Sequence, residues 1–302
     1  MHLRDIYFNL IYDHFKNGNK ENYVIMTNDF GAPSLDRIIK DFPQYYINVG
    51  ICEQNLVTMA VGMAAEGFRP IVYSISSFLI YRAYEQIKLD VSVHNSKVIL
   101  LGVGTGYSYD VDGPTHHITE DLSLMYNLKN LKIFSPFDKD TIIKTFKKTS
   151  LINSPIWIRM DRGSHELGKK FIDLKDFYLF KNLKKNNLII CTGTITTLLS
   201  KILDKSILDI DILSIFKLKP LNQKLLLELI NGYKRILIIE EHNEMLGLFS
   251  IINTLVNGKI DKQTMMIPMG IKEKFIYNYD KRDKSFEKIG ITLKNILKKF
   301  KI

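Results

Sequence analysis

Glu53 carries the clearest promise of chemistry in this sequence. It lies within INVGICEQNLVTMAVGMAAEG, residues 47 to 67. Ile47, Val49 and Ile51 alternate with Asn48 and Gly50, which predicts a short strand. Leu56, Met59, Ala60, Met63 and Ala64 then recur at helical spacing. A lone carboxylate therefore stands where a strand hands over to a helix, among mostly apolar neighbours. A buried carboxylate must find a partner or change its proton affinity, so Glu53 is a candidate for proton chemistry on a bound group. The competing reading is a first-turn acid favoured by the helix dipole. A second set of groups lies in GVGTGYSYDVDGPTHHITEDLSLMY, residues 102 to 126. Asp112, Thr115, His116 and His117 fall within six residues there, just after the apolar run that starts at Val98. A loop leaving the carboxyl end of a strand is where open α/β sheets bind ligands.

These groups need a scaffold, and the apolar pattern supplies one. Strands are predicted at Val24–Thr27, Ile47–Ile51, Ile71–Ile75, Val98–Val103, Leu131–Phe134 and Ile156–Met160, with helical patterns between most of them. Such alternation implies a parallel sheet covered by helices on both faces. Residues 165–187 carry many lysines and little periodicity and read as a linker. A second unit, 188–302, has strands predicted at Leu188–Cys191, Ile210–Leu213, Arg235–Glu240 and Met265–Pro268. It ends in a basic helical tail from Leu293 to Ile302. The expected division is 1–164, a linker over 165–187, and 188–302.

Composition limits the function classes. The chain has 302 residues, 46% hydrophobic and 25% charged, as an ordinary globular protein does. No run of 18 apolar residues occurs, and the amino terminus is a poor signal peptide because Asp5 and Asn9 interrupt its apolar stretch. A cytoplasmic protein without a membrane partner is expected. Cys52 and Cys191 both lie in apolar runs and read as free buried thiols. The net charge of +10 is uneven: residues 1 to 166 hold 17 Lys and Arg against 18 Asp and Glu, so the excess lies in the second half. The lysines are scattered between apolar segments without a nucleic-acid motif. Solvated faces or an acidic protein partner fit better than nucleic acid.

Four segments in order, NDFGAPS (28–34), VGICEQN (49–55), SSFLIYRAYEQI (76–87) and DGPTHH (112–117), resemble the pyrimidine-binding domain of transketolases and of 1-deoxyxylulose-5-phosphate synthase. IWIRMDRG (156–163) resembles the strand that closes that domain. PLN (220–222) and EEHNEMLG (240–247) resemble the family's C-terminal domain. The resemblance implies an α/β fold of two domains: a parallel-sheet domain that binds the pyrimidine of thiamine diphosphate, then a transketolase C-terminal-type α/β domain.

It also implies roles. Glu53 matches the glutamate that faces the ring nitrogen of the cofactor's aminopyrimidine and moves a proton there. Phe78 matches the aromatic that stacks on that ring, and Asp29, Tyr81 and Arg82 match further cofactor contacts. Asp112 and His116 match groups that contact sugar hydroxyls near the reacting carbons, with His117 a further candidate; a carboxylate accepts from hydroxyls and a histidine donates or relays protons. Arg4, Ser34 and Arg159 match positions that bind a substrate phosphate. A family histidine that helps hold that phosphate aligns near Gly104, a departure. The family's Gly-Asp-Gly motif for Mg²⁺ and the cofactor's diphosphate has only Val111-Asp112-Gly113 as its nearest match. No metal ligand is expected on this chain. Mg²⁺ and the diphosphate are expected on a separate transketolase N-terminal-type subunit, in a heterotetramer.

The leading expectation is the C-terminal subunit of a split transketolase acting on sugars, most simply sugar phosphates. A 1-deoxyxylulose-5-phosphate synthase-like enzyme, the beta subunit of a 2-oxoacid dehydrogenase and a non-catalytic partner subunit are the alternatives. DGPTHH argues against the dehydrogenase. Retention of Glu53, Phe78 and the Asp112/His116 loop argues against a non-catalytic subunit.

Overall fold

The structure, a computed structural model, describes residues 1–18, 22–163, 171–180, 186–204, 209–277 and 281–301. The chain divides into two compact units. One comprises Met1–Thr105 with Leu124–His165, the other Gly106–Ser123 with Glu166–Ile302.

The first unit is built from α1 (Leu3–Lys16), β1 (Tyr23–Thr27), α2 (Pro33–Asp41), β2 (Tyr46–Asn48), α3 (Glu53–Ala65), β3 (Arg69–Ile75), α4 (Ser76–Gln86), β4 (Ile99–Val103), α5 (Asp121–Met125, whose first residues lie in the other unit), β5 (Lys132–Phe134), α6 (Lys139–Thr149) and β6 (Ile156–Met160). Its strands lie in the order β5-β6-β4-β3-β1-β2 and all pair in parallel. Central strands of this kind are covered on both faces, so they read as continuous apolar runs. β1, β3, β4 and β6 are buried along their whole length. The helices follow from spacing: Leu3, Ile6, Tyr7 and Ile11 put one buried face on α1. Pro33 opens α2, where its missing N–H costs nothing.

All six predicted strands of this unit occur. β2 is shorter than expected: it ends at Asn48, and Gly50 takes a left-handed conformation (φ 77) that turns the chain into α3. α4 loses helical geometry at Ala83, and the chain then widens into a π-helical stretch at Ile87–Val93.

The second unit holds β7 (Ile172–Asp173), β8 (Phe177–Phe180), β9 (Asn187–Thr192), α7 (Ile195–Asp204), β10 (Ile210–Ile215), β11 (Lys217–Lys219), α8 (Gln223–Ile230), β12 (Arg235–Asn243), α9 (Leu248–Val256), β13 (Met265–Ile271), α10 (Arg282–Ile289) and α11 (Leu293–Phe300). Its sheet has the order β13-β12-β9-β10-β8-β7. β13, β12, β9 and β10 pair in parallel, and β8 and β7 add an antiparallel edge. One core gathers Ile189, Cys191, Leu199, Leu237, Phe286 and Phe300 from five elements. The basic tail is helical because Ile296 and Phe300 bury one face of α11, while its lysines lie on the others.

Two expectations about organisation differ from what the structure holds. The stretch expected as a linker, 165–187, lies partly outside the described residues, and its described part carries β7 and β8. The aromatic run Phe177–Phe180 is wholly buried against β10, which its lysine-rich flanks hide in the sequence. Residues 106–123 fall inside the expected first domain but belong to the second unit.

Candidate active site

The groups expected to do chemistry form two clusters, one in each unit. In the first unit, α3 begins at Glu53, which is 5% exposed. Helix starts leave N–H groups unpaired and favour an anion. The carboxylate also has two side-chain partners. Asn28 Nδ2 donates to Oε1 at 3.0 Å, and Arg82 Nη1 donates to the same oxygen at 2.6 Å. Arg82 is therefore what neutralises this buried charge. Its guanidinium also lies over the Phe78 ring, 4.2 Å from the centroid. α4 sets this geometry: Phe78 and Arg82 are four residues apart and share a helix face. Tyr81 points away and is 47% exposed.

The ends of β1 and β2 frame the same cluster. Asn48 Oδ1 accepts from the N–H groups of Asp29 (2.9 Å) and Gly50 (3.0 Å), while Asn48 Nδ2 donates to Asp29 Oδ1 at 3.3 Å. Asp29 is exposed and takes a left-handed backbone, φ 63, which Asp tolerates. Asn28 and Asn48 were not singled out from sequence. The only hint was their place at strand ends.

The residues expected to bind phosphate are also in this unit, but an acid joins two of them. Ser34 Oγ donates to Asp5 Oδ1 at 2.7 Å, and Arg4 Nε lies 3.9 Å from the same oxygen. Arg4 Nη1 donates to the Tyr73 hydroxyl at 3.2 Å. Arg159 lies on β6 opposite Gly102 of β4 and is buried. Gly104, where the histidine was expected, donates its N–H to Met160 O at 2.9 Å with φ 93.

The second cluster is the loop 106–123. Gly106 and Ile118 exchange backbone bonds of 3.0 and 3.1 Å that close its neck. Asp112 is exposed, and Gly113 turns the chain with φ 73. His116 N–H donates to Gly113 O at 3.0 Å, its Nδ1 lies 2.9 Å from Thr115 Oγ1, and its ring stands 5.6 Å from Tyr109. His117 faces inward. It is 6% exposed, edge-on to Tyr107 at 4.8 Å, with Nε2 3.4 Å from Asp110 O. Burial lowers its pKa, partly offset by the carbonyls of Asp110 and Tyr109. Of the two histidines, His116 is the more open to a ligand.

Three consecutive residues of β12 hold this loop. Glu241 Oε1 accepts the Tyr107 N–H at 3.0 Å. His242 Nε2 accepts the Leu122 N–H at 3.2 Å. Asn243 N–H donates to Thr119 O at 2.9 Å. The neighbouring Glu240 caps α9, accepting the N–H groups of Leu248 (2.5 Å) and Phe249 (3.0 Å). Gly247 is what lets it approach, since a Cβ there would lie 1.9 Å from Glu240 Oε2. EEHN stood out from sequence only as part of a resemblance; its hold on the loop was not foreseen.

The first cluster fits an aminopyrimidine. A buried carboxylate, an aromatic face and Asn28 Oδ1, a buried acceptor with no hydrogen-bond partner among the described residues, match a flat ring that bears N–H donors. Among the described residues no group of three or more His, Cys, Asp or Glu is placed to hold a metal ion. No described helix is long and apolar enough to cross a membrane.

Comparison with known proteins agrees with this geometry. Residues 17–166 match the family model for the transketolase pyrimidine-binding domain. One subunit of the apulose-4-phosphate transketolase from Actinobacillus succinogenes is 27% identical over 263 residues, covering 84% of this chain and 83% of that one. The 1-deoxy-D-xylulose-5-phosphate synthase of Nitrosomonas europaea is 28% identical over 274 residues, but the match spans only 44% of that enzyme. Among solved structures, one described as a split gene transketolase, inactive beta4 tetramer, superposes with a TM-score of 0.82 at 22% identity, covering 99% of this chain and 96% of that one. The transketolase of Campylobacter jejuni superposes with a TM-score of 0.78 at 19% identity, over 46% of its length. At these identities the two structural likenesses speak to the fold alone. With a buried glutamate at the start of α3, an aromatic platform on α4 and a family match across both, residues 17–166 belong to the pyrimidine-binding domain family of the transketolases.

Proposed function

We propose that this chain is the C-terminal subunit of a split, thiamine diphosphate-dependent transketolase that moves a two-carbon ketol unit between sugars. The observation that carries the reading is Glu53, buried at the first turn of α3 between Asn28 and Arg82, with Phe78 beside it. When bound, the cofactor supplies a nucleophilic carbon and an electron sink. The work of this chain is to hold the aminopyrimidine and exchange a proton with its ring nitrogen through Glu53, with the ring stacked on Phe78. Arg82 and Asp29 complete that end, and Tyr81 lies at its rim. On the loop, Asp112 and His116 would meet sugar hydroxyls, Asp112 as acceptor and His116 as donor or proton relay. His117, turned inward, would support the loop.

The likeness in length and sequence to one subunit of another transketolase supports a separate subunit of N-terminal type that carries Mg²⁺ and the diphosphate. We infer two copies of each. For the sugar, Arg4, Ser34 and Arg159 remain the proposed phosphate ligands. Asp5, hydrogen-bonded to Ser34 and near Arg4, adds a negative charge there, and Gly104 offers no side chain. Both features support weaker selection for small sugar phosphates and room for a larger acceptor.

The test is reconstitution with a transketolase N-terminal-type subunit, thiamine diphosphate and Mg²⁺, followed by assay of ketol transfer to ribose 5-phosphate and to larger aldoses. Absence of transfer to every aldose would end the reading. The identities to several 1-deoxy-D-xylulose-5-phosphate synthases, 28% and 30%, favour one second reading. Release of carbon dioxide from pyruvate in the same mixture would establish it instead.

A further inference from the structure

The loop that bears His116 is held by a buried ion pair that has no part in the proposed reaction. Glu241 lies on β12 and its side chain is 4% exposed. One oxygen accepts the Tyr107 N–H at 3.0 Å and the Nε–H of Arg282 at 2.9 Å, and the other accepts from Arg282 Nη2. The pair is thus bidentate, the arrangement that best fixes direction. The backbone N–H of Arg282 donates to Asp110 Oδ2 at 3.2 Å. Tyr107, Glu241, Arg282 and Asp110 therefore form a closed ring of contacts around residues 107–110, directly before Asp112 and His116. Gly106 lets the carboxylate come this close: a Cβ there would lie 2.4 Å from Glu241 Cδ, and its φ is +55. The Tyr107 ring seals the far side against Ile271 and Ile276.

Burying a charge pair gives little net stability, since desolvation offsets the attraction. What such a pair does supply is a single geometry. Catalysis is sensitive to that geometry, because a displacement of about 1 Å at a reacting group can cost roughly a hundredfold in rate.

We propose that Glu241 and Arg282 are positioning residues for His116: they set the loop 106–119 in one arrangement and thereby set the rate of sugar transfer, without touching sugar or cofactor. The catalytic part rests on the function proposed above; the hold on the loop does not.

The experiment uses the full chain with Glu241→Gln, Arg282→Met and Arg282→Lys. Amide hydrogen exchange reads the loop directly. Kinetics with the N-terminal-type subunit, thiamine diphosphate, Mg²⁺ and an aldose acceptor reads its consequence. Glu241→Gln and Arg282→Met should speed exchange at least tenfold over residues 106–119 and leave residues 53–65 unchanged. The kcat should fall ten- to a hundredfold while the concentration of thiamine diphosphate giving half-maximal rate stays within twofold. Arg282→Lys, which keeps the charge but not the fork, should fall between. Exchange unchanged in the loop, or faster everywhere alike, overturns the hold on the loop. A faster loop with wild-type kcat overturns the positioning role. If the wild-type complex transfers no ketol unit, the function and the catalytic part fall together, while the exchange result still decides whether the pair holds the loop.

Discussion

The Glu53 cluster takes its partners from nearby chain, whereas the His116 loop takes its partners from far away. Asn28, Glu53 and Arg82 come from the ends of neighbouring strands and the first turns of the helices that follow, within one sheet of parallel strands. The loop has no regular scaffold of its own. Tyr107 is fixed by a residue 134 positions away and Asp110 by one 172 positions away. Each design has a different weakness. In the first, a single side chain carries the chemistry and the fold around it is robust. In the second, the chemistry depends on a fold-level clamp, and damage to the clamp should be felt at His116.

The sharpest way to break this comparison is Glu53→Gln. It keeps size and the Arg82 contact but cannot exchange a proton. Turnover of the reconstituted enzyme should fall more than about a hundredfold, with the circular dichroism spectrum unchanged. Activity within tenfold of wild type would remove Glu53 from the chemistry. Next in size is Gly106→Ala. Its Cβ would press on the Glu241 carboxylate and its φ is positive, so the second unit should lose about 2–4 kcal/mol by overpacking and backbone strain. Urea unfolding would read this, and an unchanged midpoint would mean that the loop does not need its close approach to β12. Asn28→Ala should cost less, about 1.5 kcal/mol, the low end for a bond to a charged group, because Arg82 still pairs with Glu53.

Smaller effects separate the units by titration. His117 is tucked under Tyr107 and burial lowers its pKa. The unfolded chain then binds a proton that the folded chain refuses, so stability falls as pH drops below about 6.5. In His117→Gln the urea midpoint should change less between pH 7.5 and 5.5 than in wild type; an equal change would place the pH dependence elsewhere. Smallest of all is the contrast of thiols. Burial pushes the Cys191 thiol up to about 12, while Cys52 is only partly buried. A thiol reagent at pH 8 should label Cys52 and spare Cys191 until the protein is unfolded. Labelling of both at one rate would show that the second unit opens readily.

The same contrast explains what could be read from sequence. The ten predicted strands all occur, because buried parallel strands write themselves as apolar runs such as Ile71–Ile75 and Ile210–Leu213. Glu53 was legible because a carboxylate at a strand-to-helix junction is a local signal. The pairing of Glu53 with Asn28 was not, since an Asn at a strand end has many ordinary uses. β8 was hidden by the charged residues around it, although Phe177–Phe180 is itself apolar. Least legible was the attachment of residues 106–123. No periodicity or spacing reveals that Glu241, His242 and Asn243 each answer to one point of a loop more than a hundred residues earlier.

That attachment bears on how such genes can be recombined. The match to the pyrimidine-binding family runs without interruption through residues 17–166, so a junction near residue 164 looks like a natural seam for splicing the halves of two relatives. It is not a seam for the loop. A hybrid joined there inherits residues 106–123 from one parent and the β12 anchors with Arg282 from the other. Hybrids between distant parents should need residues 106–123 exchanged together with 240–243 and 282, so that loop and anchors come from the same ancestor.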